Sequence, residues 1–375
     1  MATVVGAPPK TFRRIPLETE PLPKDTAADR LVSLDAFRGF IMTVLAAHGF
    51  GLATLSGDPN WGWLGGQFEH ARWEGLRFWD LIQPAFMFMV GLAMPFAFAA
   101  RLRREGSEAV WRHAAYRAVM LIVISNVIMS ISAGRLHFQL INVLAQIGFT
   151  YFICYWLMKL PFRGQAVAAA LILAGYTALF IAFPGSAGPY SIGDNIGERV
   201  DQFLFGRSNP GHWANINFIP STFVTLLGVW CGYLMIAKNS HARRMKILAA
   251  GALALLAVGY GLSPFIPIIK RIHTTAFTFV SLGWVLLMLL AFYWLVEVKG
   301  FHKAVFPLVV VGMNSMFIYC LDILIENWLD GAVAVFSGSY TFLGKWGPVA
   351  QATTVFLAMW YLCYWLYRRR IVVKI

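Results

Sequence analysis

The chain has 375 residues, of which 58% are hydrophobic and only 13% charged, about half the charge of an ordinary soluble domain. That leaves too little polar surface for a water-soluble globule, so membrane lipid is the expected solvent. The net charge of +13 would suggest nucleic acid in a soluble protein. Cytoplasmic loops of membrane proteins collect Lys and Arg for another reason, so no nucleic-acid partner is expected.

Residues 1–32 are polar, contain five prolines and read as a flexible cytoplasmic tail. Apolar runs of about 20 residues follow, each long enough to cross a ~30 Å hydrocarbon core as a helix. They fall at 33–55, 79–100, 114–133, 141–159, 165–184, 219–237, 247–268, 274–296, 304–324 and 347–367. Backbone groups in lipid must be satisfied internally, so continuous apolar runs mean helices rather than barrel strands. The expected fold is therefore all-α: a polytopic integral membrane bundle of about ten transmembrane helices. The region 325–343 is itself moderately apolar and leaves room for a re-entrant segment. Residues 33–367 form the membrane domain, and 368–375 a basic tail.

Orientation follows from counting. With the N-terminus inside, 22 basic residues fall in inside segments and 8 in outside ones, and Arg38 lies within the first span. This bias places both termini in the cytoplasm. Two outside segments are long, 56–78 and 185–218. The second carries Asp194, Glu198, His212 and Trp213, and reads as an interfacial anchor or a passive lid. The four cysteines, Cys154, Cys231, Cys320 and Cys363, lie in or beside apolar runs without CxxC spacing. They read as packing residues, and no metal site is expected.

Two constellations stand out. In Ser33-Leu34-Asp35-Ala36-Phe37-Arg38-Gly39, Ser33 suits an N-cap and Asp35 the first turn, where the helix dipole favours a carboxylate. Arg38 lies one turn on. A capped helix start with a snorkelling arginine accounts for both charges without function. The second runs from Gln67 to Asp80. If helical, it puts His70, Trp73, Glu74 and Arg77 on one face. Histidine exchanges protons near neutral pH, and a carboxylate orients its ring. Glu74 is within reach at i+4. Asp80 is ~15 Å away on a straight helix and approaches only if the chain bends, as Gly75 permits. Inside the spans, Asn126, Asn142, Gln146, Asn314 and Ser315 suit interhelical hydrogen bonds. His48 and Asp322 need a partner or a wet cavity.

These residues resemble a known family, the transmembrane acetyltransferases typified by heparan-α-glucosaminide N-acetyltransferase. The Ser33–Gly39 motif is similar to the family's first signature. His70-x-x-Trp73-x-Gly75 followed by Asp80-Leu81-Ile82-Gln83-Pro84 resembles the second, and Asn142–Gly148, Gly228–Tyr233 and Asn314–Tyr319 echo later spans. The resemblance implies a bacterial-type member without the extra N-terminal domain, in the inner membrane. It implies transfer of an acetyl group from cytoplasmic acetyl-CoA to an amino sugar or related glycan outside. His70 matches the catalytic histidine, as base or as acetyl carrier, with Asp80 or Glu74 tuning it. Asp35, Arg38, His48 and Trp73 would shape the cavity. Arg101, Arg103 and Arg104 would meet the CoA phosphates, with Gln146 and Asn314 also on the co-substrate; generic positive-inside charge explains the arginines equally well. A homo-oligomer stays open. A secondary transporter of a sugar or peptidoglycan fragment is the alternative, and a non-catalytic partner of an envelope-assembly complex a third. On the acetyltransferase reading His70 must face a cavity dipping toward the midplane, because the acetyl group has to cross ~30 Å of hydrocarbon.

Overall fold

A computed structural model describes residues 31–373; nearly all of the expected N-terminal tail, and the last residues of the basic tail, lie outside that range. The described chain is helical, with α1 (Val32–Ala46), α2 (Ile82–Glu105), α3 (Ser107–Ser132), α4 (Val143–Leu157), α5 (Phe162–Ala182) and α6 (Ile196–Phe205) in its first half. Then come α7 (Phe218–Ile236), α8 (His241–Leu262), α9 (Thr275–Tyr293), α10 (Phe306–Met313), α11 (Ser315–Ser337) and α12 (Gly347–Arg368). Side chains close several helix starts. Asn142, Asn195, Ser240 and Thr274 each accept a backbone N–H from the first turn of the helix that follows, supplying an acceptor to donors the helix leaves unpaired.

Among the described residues seven helical stretches are long and apolar enough to cross a membrane. There are eight when α1 and the 3₁₀ segment His48–Leu55, bent by 53°, count as one span. The chain is an all-α polytopic membrane protein. All but one of the expected spans coincide with a helix or with this bent pair, although α4 is only 15 residues long. The exception is 304–324. The helix breaks at Asn314 (φ −121°, ψ 36°), and the long element is α11, which absorbs much of the suspected re-entrant region. The amide nitrogen of Asn314 donates to Ile371 O (3.2 Å), and its oxygen accepts from Val373 N (3.0 Å). An asparagine that binds the backbone of another segment competes with the helical ladder, which accounts for the break.

Burial sorts the helices. In α2's span 72% of the most apolar window is buried in protein, against 17% in α8, so α2 is central and α8 faces lipid. Helix α3 has both characters. Val119, Val123, Val127 and Ile131, four residues apart, are exposed, while Ala114, Ala118, Leu121 and Ile128 are buried; the first row is the lipid stripe. The central pair α2 and α7 meets through small residues. A Cβ on Gly91 would overlap the Thr225 carbonyl, and one on Gly228 the Phe88 carbonyl. In lipid, where apolar surfaces gain nothing by leaving water, such close approach supplies the packing energy.

The start of α1, the end of α10 and the segment after α12 share one end of the bundle. Asp35 O abuts Gly312, Ser33 N donates to Glu297 (2.9 Å), and Asn314 holds residues 371 and 373. Ser33 is therefore not the N-cap expected of it; α1 begins at Val32 without a side-chain cap. The opposite end carries the long loops.

Candidate active site

The stretch expected to be helical between Gln67 and Asp80 is not. After a short 3₁₀ turn at Gly66–Phe68 the chain runs irregularly through residues 69–77, and a second 3₁₀ turn, Phe78–Leu81, opens α2. Gly75 sits at φ +112°, a conformation open to glycine and strained for other residues. Its N–H donates to Ile268 O (2.8 Å). That bend closes the gap a straight helix would leave: Asp80 Oδ1 lies 2.8 Å from His70 Nδ1.

Asp80 is almost wholly buried, and both its oxygens are used. Oδ2 accepts the backbone N–H groups of Ala71 (3.2 Å) and Arg77 (3.0 Å), which fixes the carboxylate across the turn. Oδ1 faces His70 and also Lys270 Nζ at 3.5 Å. An ionised carboxylate only accepts, so His70 Nδ1 donates, and in the neutral ring the lone pair is at Nε2. Lys270 Nζ also stands 3.2 Å from Nδ1; with Nδ1 already donating, this is a close approach of two donors. Burial holds the His70 ring below its ordinary pKa, the Lys270 cation acts the same way and Asp80 opposes both. Burial also pushes the Lys270 ammonium down to about 8.

His70 lines a cavity of about 310 Å³ with Trp79, Trp213 and Lys270 from the loops and turns and Gln83, Asn142 and Tyr319 from the helices and their caps. The polar groups on the helices are fixed. Tyr319 OH donates to Asn142 Oδ1 (3.2 Å) and its ring stacks on Phe86. Gln83 donates to Gln146, which donates in turn to Asn217. Gln146 thus supports the wall without lining it. Tyr319 lies five residues beyond the break at Asn314, ~7.5 Å by helical rise, and its side chain reaches Phe86 near the start of α2.

The 185–218 loop is part of this site. The Trp213 ring meets His70 edge-on at 5.5 Å between centroids and lies beneath Lys270 Nζ at 5.4 Å. Trp73 Nε1 donates to Tyr190 O (3.0 Å). Glu198, fully buried at the start of α6, pairs with His212 Nδ1 at 2.6 Å. Asp201 accepts the Asn215 N–H, and burial pushes its carboxyl up to about 6.

Other expected site residues lie elsewhere. Glu74 is exposed and makes no hydrogen bond to His70, which corrects its role as the local partner. Arg101 pairs with Glu105 (3.0 Å), and Arg103 and Arg104 are exposed. Arg101 is 18 residues along α2 from Gln83, ~27 Å by helical rise, and none of the three lines the cavity. Asn314 is committed to the C-terminal segment. Asp35 and Arg38 pair with each other (2.8 Å), and Arg38 Nε donates to Gly312 O (2.7 Å) at the termini end. His48 Nε2 meets Asp322 Oδ1 at 3.1 Å, which supplies the partner each needed. Among the described residues no group of His, Cys, Asp and Glu could hold a metal ion.

Sequence reasoning missed Lys270 altogether and gave Trp213 only an anchoring role. Both come from outside loops that carry no motif. Asn142 and Tyr319 fall in the weaker echoes of later spans.

No protein-family model matches the chain. Two curated relatives do. The heparan-alpha-glucosaminide N-acetyltransferase of Homo sapiens is 24% identical over 371 residues, 80% of this chain and 53% of the relative. That of Mus musculus is 23% identical over 379 residues, 82% of this chain and 56% of the relative. The chain spans about half the length of the curated relatives it matches.

Proposed function

We propose that this chain, a relative of the heparan-alpha-glucosaminide N-acetyltransferases, is a transmembrane acetyltransferase that moves an acetyl group from acetyl-CoA to an amino sugar or related glycan, with His70 as its catalytic residue. One observation carries the reading. A histidine whose Nδ1 is held by a buried carboxylate lines a cavity that runs from the loop end into the bundle. Acyl transfer to an amine needs a base that takes the amine proton as the N–C bond forms and the thioester C–S bond breaks. With Nδ1–H fixed on Asp80, Nε2 is free for that work, and a carboxylate stabilises the imidazolium that results. The same lone pair suits attack on the thioester to give a transient acetyl-histidine.

The charge bias of the loops supports a cytoplasmic termini end; on this reading acetyl-CoA enters there and the acceptor meets His70 at the loop end. The exposed arginines Arg103 and Arg104 suit the CoA phosphates only as a peripheral contact, since ~27 Å of α2 separates that end from the cavity.

The test is acetyl transfer by the purified protein, read by mass spectrometry of a panel of amino sugars after incubation with acetyl-CoA. His70→Ala should abolish transfer while the protein still inserts and melts as the wild type does. Undiminished transfer by that variant would remove His70 from the chemistry.

A further inference from the structure

Lys270 is a lysine with only 7% of its side chain exposed, in a loop at a membrane protein's rim. A buried ammonium is costly unless paired, and rim lysines ordinarily extend to water. This one is pinned instead. Its loop is tied to two others through the backbone: Gly75 N–H donates to Ile268 O (2.8 Å), and Ala214 N–H to Arg271 O (3.2 Å). Arg271 Nη1 donates to Gly211 O (2.9 Å). These clamps aim Lys270 at the carboxylate that His70 uses.

The charged groups around His70 form a short list. Asp80 comes from the turn opening α2. On His70's own loop Glu69 and Arg77 pair with each other at 2.8 Å. Lys270 and Arg271 come from the α8–α9 turn. On the α6 side, His212 is paired with Glu198. Asp80 alone would favour the imidazolium, as a lone carboxylate beside a histidine does. A protonated ring has no lone pair at Nε2 and can neither take a proton nor attack a thioester. The Lys270 cation, 3.2 Å from Nδ1 and 3.5 Å from the same carboxylate oxygen, opposes that second proton and leaves the Nδ1–H bond to Asp80 in place.

We propose that Lys270 is a positioning residue of this site, whose charge keeps the His70–Asp80 pair in the neutral-imidazole form with Nε2 free. The inference rests on the catalytic reading of His70 for its meaning, yet its content is the charge state of one ring and can be measured without turnover.

The experiment is the pH dependence of His70 modification by diethyl pyrocarbonate, which attacks neutral imidazole, followed by mass spectrometry of the peptide carrying His70. In K270Q the midpoint should rise by about one pH unit, because the cation that opposed protonation is gone. In K270R, which keeps the charge, it should stay at the wild-type value. Folding should survive in K270Q, since a protonated His70 then neutralises Asp80; K270M serves the same comparison where the amide is not tolerated. If the wild type transfers acetyl groups, the acid limb of kcat/KM should move up by the same amount in K270Q, with activity recovering at higher pH. A midpoint unmoved in both K270Q and K270M, or raised as far in K270R, would overturn the proposal. Absence of transfer in the wild type would instead overturn the acetyltransferase reading and leave the modification result standing.

Discussion

Asp80→Asn isolates what the buried carboxylate does. The asparagine amide can take two orientations. With its NH₂ toward Ala71 and Arg77, four buried donors face one another, at a cost of about 1–3 kcal/mol for each unsatisfied group. The other orientation keeps the oxygen on those two backbone N–H groups, 3.2 and 3.0 Å away in the wild type, and is preferred. Its NH₂ then points at His70 Nδ1, which must accept, so the ring proton moves to Nε2 and the lone pair leaves the cavity. Lys270 loses its anion as well. The expected loss in kcat is on the order of 10³-fold, or about 4 kcal/mol in the barrier. KM should change little, because Asp80 does not line the cavity. Initial rates across acetyl-CoA concentration, beside a thermal melt in detergent, separate the two effects. A folded D80N with kcat within tenfold of wild type would refute the tautomer argument.

Two further predictions concern glycines. Gly75→Ala meets no neighbour within 4 Å, so its cost is backbone strain at φ +112°, about 1–3 kcal/mol; transfer should fall with loosening of the His70–Asp80 bond, and unchanged activity would show that the bend is not needed. Gly91→Ala should cost about 1–3 kcal/mol or more through overpacking against the Thr225 carbonyl, lowering the thermal midpoint in detergent. Gly175→Ala on α5 is its control, since a Cβ there meets nothing and should leave the midpoint level or slightly raised; equal melts for the two variants would contradict the close packing of α2 on α7.

The helices were legible because lipid imposes one rule on the whole chain: each crossing segment must be long, apolar and internally bonded. That rule placed the span at 219–237 within a residue of α7 at both ends, and the span at 114–133 within a residue of the end of α3, whose start lies seven residues earlier. It failed at Asn314, where the run of apolar residues continues but one amide binds the backbone of the C-terminal segment instead of its own helix. Hydropathy registers transfer cost and is blind to that substitution of partners. The same blindness made Ser33 look like a cap, when the residue that needed satisfying was its own N–H, bonded to Glu297 from 264 positions away.

The site divides along a similar line. His70, Gly75 and Asp80 lie within eleven residues, and their relation needs only one bend, so the sequence carried both the pair and the condition for it. Glu74 was wrongly weighted because a helix was assumed, and the helix loses here to three backbone donors that are better used elsewhere: Gly75 on Ile268, Ala71 and Arg77 on Asp80. Lys270 was beyond reach for a different reason. Counted with the basic residues of an outside loop, it contributed to topology, where every Lys and Arg is equivalent. What sets it apart is burial beside an anion 190 positions earlier in the chain, and burial is a property of how three loops close on one another. Only the folded arrangement turns a topological charge into one that acts on a particular imidazole.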